Sequence, residues 1–329
     1  MAIFNLSALT PTPVTSGNEN VLNAIVAAGS EAKHVEFNSG GLAQWGVVLQ
    51  PSGAGEVPFG IFCRGGKAGT DSQLTDEKIL GDATAAGAST FGTHIGLSGL
   101  GVNYCMIAPD YREGEGLRNG ASASEGTVAG GDGDNFGVMD EDVEDILQAW
   151  SARYELPKAD DTKTFAYGAS SGCMRLLMAM TKGLRPDCCI LRAPLIGLYD
   201  WEPNRNGHAA IPDFEGDGDS SWGELSYADR ARLKARSPLH MTDKLPVIPY
   251  LLIYGENDTT VPRAWIDSFR DKMEARGAEV QVVIVPGGTH AMAAKAGTIE
   301  GQGSSTTAEK SRAVMAASAV LDFLAEKMA

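Results

Sequence analysis

The chain has 329 residues, 43% of them apolar and 21% charged, a balance that suits a globular protein and leaves room for one large α/β domain or two ordinary ones. A formal charge of −15 argues against nucleic acid or an anionic membrane surface as a partner. No apolar run approaches the roughly 20 residues of a membrane span, and residues 1–13 lack the basic start and apolar core of a secretion signal.

Residues 1–33 read as an N-terminal segment packed on a main domain of residues 34–329, with one short amphipathic stretch at 18–32. Two strands, 35–37 and 42–49, flank a Ser39-Gly40-Gly41 turn. An apolar strand at 58–63 ends in Arg64-Gly65-Gly66. A small-residue helix near 82–97 leads to a strand at 104–108, closed by Pro109-Asp110-Tyr111-Arg112. The glycine-rich, polar stretch 113–138 reads as a loop, and 140–154 has helical spacing with Val143, Ile146, Leu147 and Trp150 on one face. A strand at 162–167, a helix at 173–180 and a strand at 189–191 follow. Residues 196–245 then break the alternation: Trp201, Pro203, Pro212, Trp222 and Pro238 sit among polar residues around one short helix near 227–235. This stretch reads as a cap-like insertion over the strand ends. Strands at 250–254 and 279–285 and a helix at 308–325 close the chain. Strand–helix alternation of this kind builds a doubly wound, mostly parallel α/β sheet.

The pentapeptide Gly168-Ala169-Ser170-Ser171-Gly172 falls between a strand and a helix, where a G-x-S-x-G turn forms a nucleophile elbow. The turn is so tight that its flanking residues must be nearly free of side chain. Two partners follow in order, each just past a strand end: Asp258 in Gly255-Glu256-Asn257-Asp258 and His290 in Pro286-Gly287-Gly288-Thr289-His290. In an open α/β sheet such ends converge on one crevice. The order Ser…Asp…His is that of the α/β hydrolases.

A serine hydroxyl attacks a carbonyl only with help from a base poised near neutrality. His290 would take its proton and return it to the leaving group, while Asp258 would hold the imidazole tautomer. The developing oxyanion needs two donors: the Ser171 N–H and an amide of Gly65 or Gly66. Asp200, past the 189–191 strand, is the reserve acid. His34, His94, His208 and His240 lack strand-end positions. Cys173 is the rival nucleophile, but its place inside a helix suggests a buried, inert thiol. Trp201, Trp222 and Tyr227 can line an acyl or alcohol pocket, or simply pin the insertion to the body.

Five cysteines with no pair at metal-ligand spacing point to reduced thiols and a cytoplasmic setting. The run from Gly114 to Asn119 lacks the third glycine of a dinucleotide-binding turn; Asp132-Gly133-Asp134 is followed by Phe136 where a calcium loop needs its third ligand, and Asp217-Gly218-Asp219 has Trp222 at the place of the loop glycine. No metal or cofactor is therefore expected.

These motifs together resemble the catalytic domain of the prolyl oligopeptidase family, within the α/β-hydrolase fold. The resemblance runs through Pro109-Asp110-Tyr111-Arg112, the elbow, Ser237-Pro238-Leu239, Gly255-Glu256-Asn257-Asp258-Thr259-Thr260-Val261-Pro262 and the loop ending at His290, in order over roughly residues 55–329. It implies a triad of Ser170, Asp258 and His290, with Ser171 and Gly66 as oxyanion donors. Two departures stand out: Arg64-Gly65-Gly66-Lys67 where the family usually has His-Gly-Gly-Pro, and Glu113 in place of a glycine. Peptidases of the family carry a large N-terminal propeller, whereas only about 50 residues precede the hydrolase region here. Stand-alone members resembling this chain are typically esterases. The expectation is a serine carboxylesterase acting on a small-molecule ester through an acyl-enzyme. A peptidase or amidase of prolyl oligopeptidase type is the alternative, and a non-catalytic hydrolase-fold binding protein a further one.

Overall fold

The computed structural model describes residues 4–5, 29–39, 42–53, 55–63, 65, 103–109, 139–197, 231, 234–290 and 307–329. Its strands are β1 (Phe4–Asn5), β2 (Ser30–Ser39), β3 (Leu42–Pro51), β4 (Val57–Cys63), β5 (Cys105–Pro109), β6 (Ala159–Ala169), β7 (Cys188–Arg192), β8 (Tyr250–Gly255) and β9 (Val280–Val285). Helices α1 (Met139–Trp150), α2 (Ser171–Thr181), α3 (Arg263–Glu274) and α4 (Thr307–Lys327) accompany them, and residues 231 and 234–235 are helical as well. The strands form one sheet in the order β1-β2-β3-β5-β4-β6-β7-β8-β9. Pairing is antiparallel from β1 through β3 to β5 and parallel from β5 to β9.

The central strands are short apolar runs because both sheet faces are covered, and every residue of β5, β7 and β8 is buried. Side chains alternate between two cores. Phe59 and Ile61 of β4 and Tyr250, Leu252 and Tyr254 of β8 join a core that includes Val143 of α1, Leu177 of α2 and Phe269 of α3. Phe62, Leu251 and Ile253 face the other way, onto Val320, Phe323 and Leu324 of α4. This period-two division explains how continuous apolar strands feed two helical layers at once.

Most strands and helices lie where the sequence puts them, extended by a residue or two. The amphipathic reading of 18–32 fails at its end, since Ser30, Glu31 and Ala32 belong to β2 and pair with Pro51, Gln50 and Leu49 of β3. The ten-residue ladder with β3 overrides helical spacing there. The same strand shows that the N-terminal stretch enters the sheet before residue 34, and Phe4 pairs with Phe37. Helix α3 has no counterpart in the sequence reading, although Trp265, Ile266, Phe269 and Met273 carry its buried stripe.

The expected helix at 82–97, the loop at 113–138, and Gly40 and Gly41 lie outside the described residues, as does most of the 196–245 insertion. The described part of the insertion packs against the main body. Its two 3-10 turns, Pro238–His240 and Thr242–Lys244, bury Leu239 and Leu245 in the α1–α3 core. Lys272 Nζ and Arg276 Nη1 of the α3 region donate to the Leu239 and Leu245 carbonyls, each at 2.9 Å. Among the described residues, no helix is long and apolar enough to cross a membrane.

Candidate active site

Strand β6 ends at Ala169 and α2 begins at Ser171, so the whole reversal falls on Ser170. Ser170 takes φ 51° and ψ −122°, a region that a side chain strongly disfavours. Its backbone is fixed on both sides. The N–H donates to the Arg192 carbonyl at 2.9 Å, and its own carbonyl accepts from Cys173 N at 3.0 Å and Leu195 N at 3.2 Å. Helix and strand meet so closely that a Cβ on Gly168 would lie 2.7 Å from the Cys173 Cα.

The acid and base arrive on neighbouring strands. Gly255 of β8 is paired with Val285 of β9, and the loops beyond remain stitched together. Glu256 N donates to Val285 O at 3.0 Å, Asn257 N to Gly288 O at 2.7 Å, and Gly287 N to the Glu256 carboxylate at 2.7 Å. Arg312 Nε of α4 donates to the Pro286 carbonyl at 2.9 Å, anchoring the histidine loop from outside. These contacts bring His290 over Asp258.

The result is a continuous chain of hydrogen bonds. Ser170 Oγ lies 2.8 Å from His290 Nε2, and His290 Nδ1 lies 2.9 Å from Asp258 Oδ2. Asp258 is 7% exposed, and its second oxygen, Oδ1, accepts from Thr260 N at 2.8 Å and Val261 N at 3.0 Å. Both carboxylate oxygens are therefore engaged, which fixes the plane of the group that orients the imidazole. The Tyr254 hydroxyl braces the turn, lying 3.0 Å from the Val261 carbonyl and 3.2 Å from that of Asp258. Burial, reinforced by the Asp258 charge, pushes this phenol up to about 12, so it stays a donor.

The loop after β4 passes directly beside the serine. A Cβ built on Gly65 would lie 2.8 Å from the Ser170 Cβ and 2.9 Å from the Ala169 carbonyl, so only glycine fits. Ser171, the first residue of α2, sits where backbone N–H groups and the helix dipole favour negative charge. Gly66, the other sequence-assigned oxyanion donor, lies outside the described residues, as do Asp200, Trp201, Trp222 and Tyr227. Cys173 is buried, with Sγ 3.5 Å from the Arg192 carbonyl, and burial holds its thiol well above the ordinary range. It is no rival to Ser170. Among the described residues, no group of His, Cys, Asp and Glu is placed to hold a metal ion.

Sequence reasoning missed the supports. A buried ion pair joins Arg175 Nε to Asp142 Oδ2 at 2.7 Å, and Arg175 Nη1 donates to Ser171 Oγ at 3.1 Å. The available signal was an arginine inside an otherwise apolar helical run.

A serine, an acid and a histidine at the ends of β6, β8 and β9 of a mostly parallel sheet define an α/β hydrolase of the serine type. The profile of the prolyl oligopeptidase family matches residues 136–309, more than half of the chain, and the chain belongs to that family. No curated protein matches it significantly. Solved structures do. An acylaminoacyl peptidase from Pyrococcus horikoshii superposes with a TM-score of 0.63 at 19% identity, over 91% of this chain and 42% of that one. A puromycin-hydrolysing peptidase from Mycobacterium tuberculosis gives 0.60 at 17% identity, over 92% and 40%. A structure from a study of two prolyl endopeptidases gives 0.62 at 16% identity, over 92% and 39%. At such identities the likeness carries the fold, and the chain spans about two fifths of the length of these structures.

Proposed function

We propose that this serine hydrolase cleaves amide bonds of peptide-like substrates through an acyl-enzyme on Ser170. The observation that carries the reading is the unbroken Ser170–His290–Asp258 hydrogen-bond chain at the strained elbow. His290 accepts the Ser170 proton as Oγ attacks the scissile carbonyl, and Asp258 steadies the imidazolium that results. The tetrahedral oxyanion is held by the Ser171 N–H and by an amide of the loop that begins at Gly65. His290 then gives its proton to the departing nitrogen, which cannot leave as an anion. Water repeats the sequence in reverse to free the acid.

The choice of amide over ester rests on the family and on the structural neighbours, whose names are those of peptidases. It reverses the order expected from the sequence, where the short stretch ahead of the hydrolase region favoured a small-molecule ester. The same triad handles esters, which are chemically easier because an alkoxide leaves with less help.

A substrate panel decides between them: aminoacyl and N-acylaminoacyl anilides against nitrophenyl esters of graded acyl length, with Ser170→Ala as control. The amide reading predicts anilide turnover that disappears in the variant. Ester turnover with no anilide cleavage would return the assignment to a carboxylesterase. Silence toward both would favour a binding protein on a hydrolase fold.

A further inference from the structure

The first turn of α2 lacks an ordinary cap. Its N-cap residue is Ser170, a residue type that normally stabilises a helix start by accepting a backbone N–H with its hydroxyl. Here no such bond forms, because the hydroxyl is directed to His290. The turn that carries the oxyanion donor Ser171 is thus deprived of its usual support by the catalytic arrangement itself.

Arg175 lies one turn further along, 2% exposed, among the fully buried Met174, Leu176 and Leu177. Its Nη1 donates to Ser171 Oγ at 3.1 Å, and its Nε donates to Asp142 of α1, which is 0% exposed, at 2.7 Å. An ion pair buried to this degree rarely stabilises a fold more than apolar side chains of the same volume. Packing between α1 and α2 does not by itself call for one. What the guanidinium adds is a fixed donor aimed at the residue after the nucleophile.

We infer that Arg175, locked in place by Asp142, is a positioning residue of the oxyanion hole. It holds Ser171 by the side-chain hydroxyl, fixes the first turn of α2 in place of the absent cap, and so keeps the Ser171 N–H directed at the oxyanion. This rests on the proposed role of Ser170 as nucleophile.

Two variants test it: Ser171→Ala, which removes one hydroxyl, and the paired Arg175→Met with Asp142→Leu, which removes both members of the ion pair together. Each is assayed for kcat and KM on the best panel substrate, for the rate of fluorophosphonate labelling at Ser170, and for Tm. Each should lower kcat roughly 10-fold, less than the 10²–10³-fold cost of deleting an oxyanion donor outright. KM should stay within about twofold, because the donor acts on the transition state rather than on bound substrate. Combining all three substitutions should cost little beyond either alone, since they cut the same link. The Tm of the paired variant should be kept or raised. Wild-type kcat in Ser171→Ala overturns the inference even if the paired variant fails to fold. Losses that multiply, or a folded paired variant with full kcat, overturn it as well. An unlabelled wild-type protein would instead defeat the nucleophile assignment, and this inference with it.

Discussion

Asp258 is held so that only one of its oxygens is available to His290, and this makes its substitution informative. Oδ1 receives two backbone N–H groups, from Thr260 and Val261. An asparagine in its place must keep its carbonyl oxygen there, which turns its NH2 toward His290 Nδ1. That nitrogen is then forced to accept, so the proton moves to Nε2, facing Ser170, and the base is disabled. Asp258→Asn should therefore lower kcat by about 10⁴ while leaving the fold intact. Steady-state kinetics with a thermal melt checks both parts. Asp200→Asn should leave kcat within about threefold, and the reverse pattern would move the acid to Asp200.

At the scale of elements, the site depends on β8 and β9 ending in register and staying joined beyond their last pair. Gly255 makes the joint, since a Cβ there would lie 2.3 Å from the Thr289 carbonyl and 2.6 Å from that of Gly288. Both are backbone atoms next to His290 and cannot swing aside. Gly255→Ala should cost about 1–3 kcal/mol by overpacking and should lower kcat more than KM as His290 is displaced. Gly53→Ala, where an added Cβ meets nothing within 4 Å, is the control and should leave both unchanged. Urea melts and kinetics on the two variants read the difference. The elements themselves were legible in the sequence where a strand is a continuous apolar run between turn residues, as at Tyr250 to Gly255 and Cys188 to Arg192. Ser170, Asp258 and His290 were legible because each follows such a run. Legibility stops where support comes from backbone or from a distant element. The Thr260 and Val261 amides have no side-chain signature, and Arg175 finds Asp142 across 33 residues of chain. Residues 30–32 were misread because a ladder with β3 decides their conformation, and spacing within the segment does not.

The molecule as a whole carries a set of buried thiols and phenols, and these make its stability depend on pH. Burial pushes Cys105 and Cys188 from 9.0 up to about 12, and raises Cys173 and Cys189 well above 9.0. Burial likewise pushes Tyr167 from 10.0 up to about 12. Below their unfolded-state values these groups are protonated in both states and stability is flat. Above about pH 9 the unfolded chain loses thiol protons that the folded protein retains, so stability falls as pH rises toward 12. Urea unfolding between about pH 8 and pH 10.5 should show a midpoint that drops progressively above 9. A constant or rising midpoint would contradict the buried, protonated state of these groups. Over the same core, all five cysteines are buried, and a thiol reagent at neutral pH should modify them only as fast as the protein unfolds.

The claim on which the functional account turns is that Ser170 is the nucleophile. The most direct measurement is peptide mass spectrometry of the intact protein after reaction with a fluorophosphonate. The account predicts a single stoichiometric adduct on the peptide containing Ser170, absent from Ser170→Ala and strongly slowed in Asp258→Asn. No adduct, or an adduct that persists in Ser170→Ala at another residue, would contradict it.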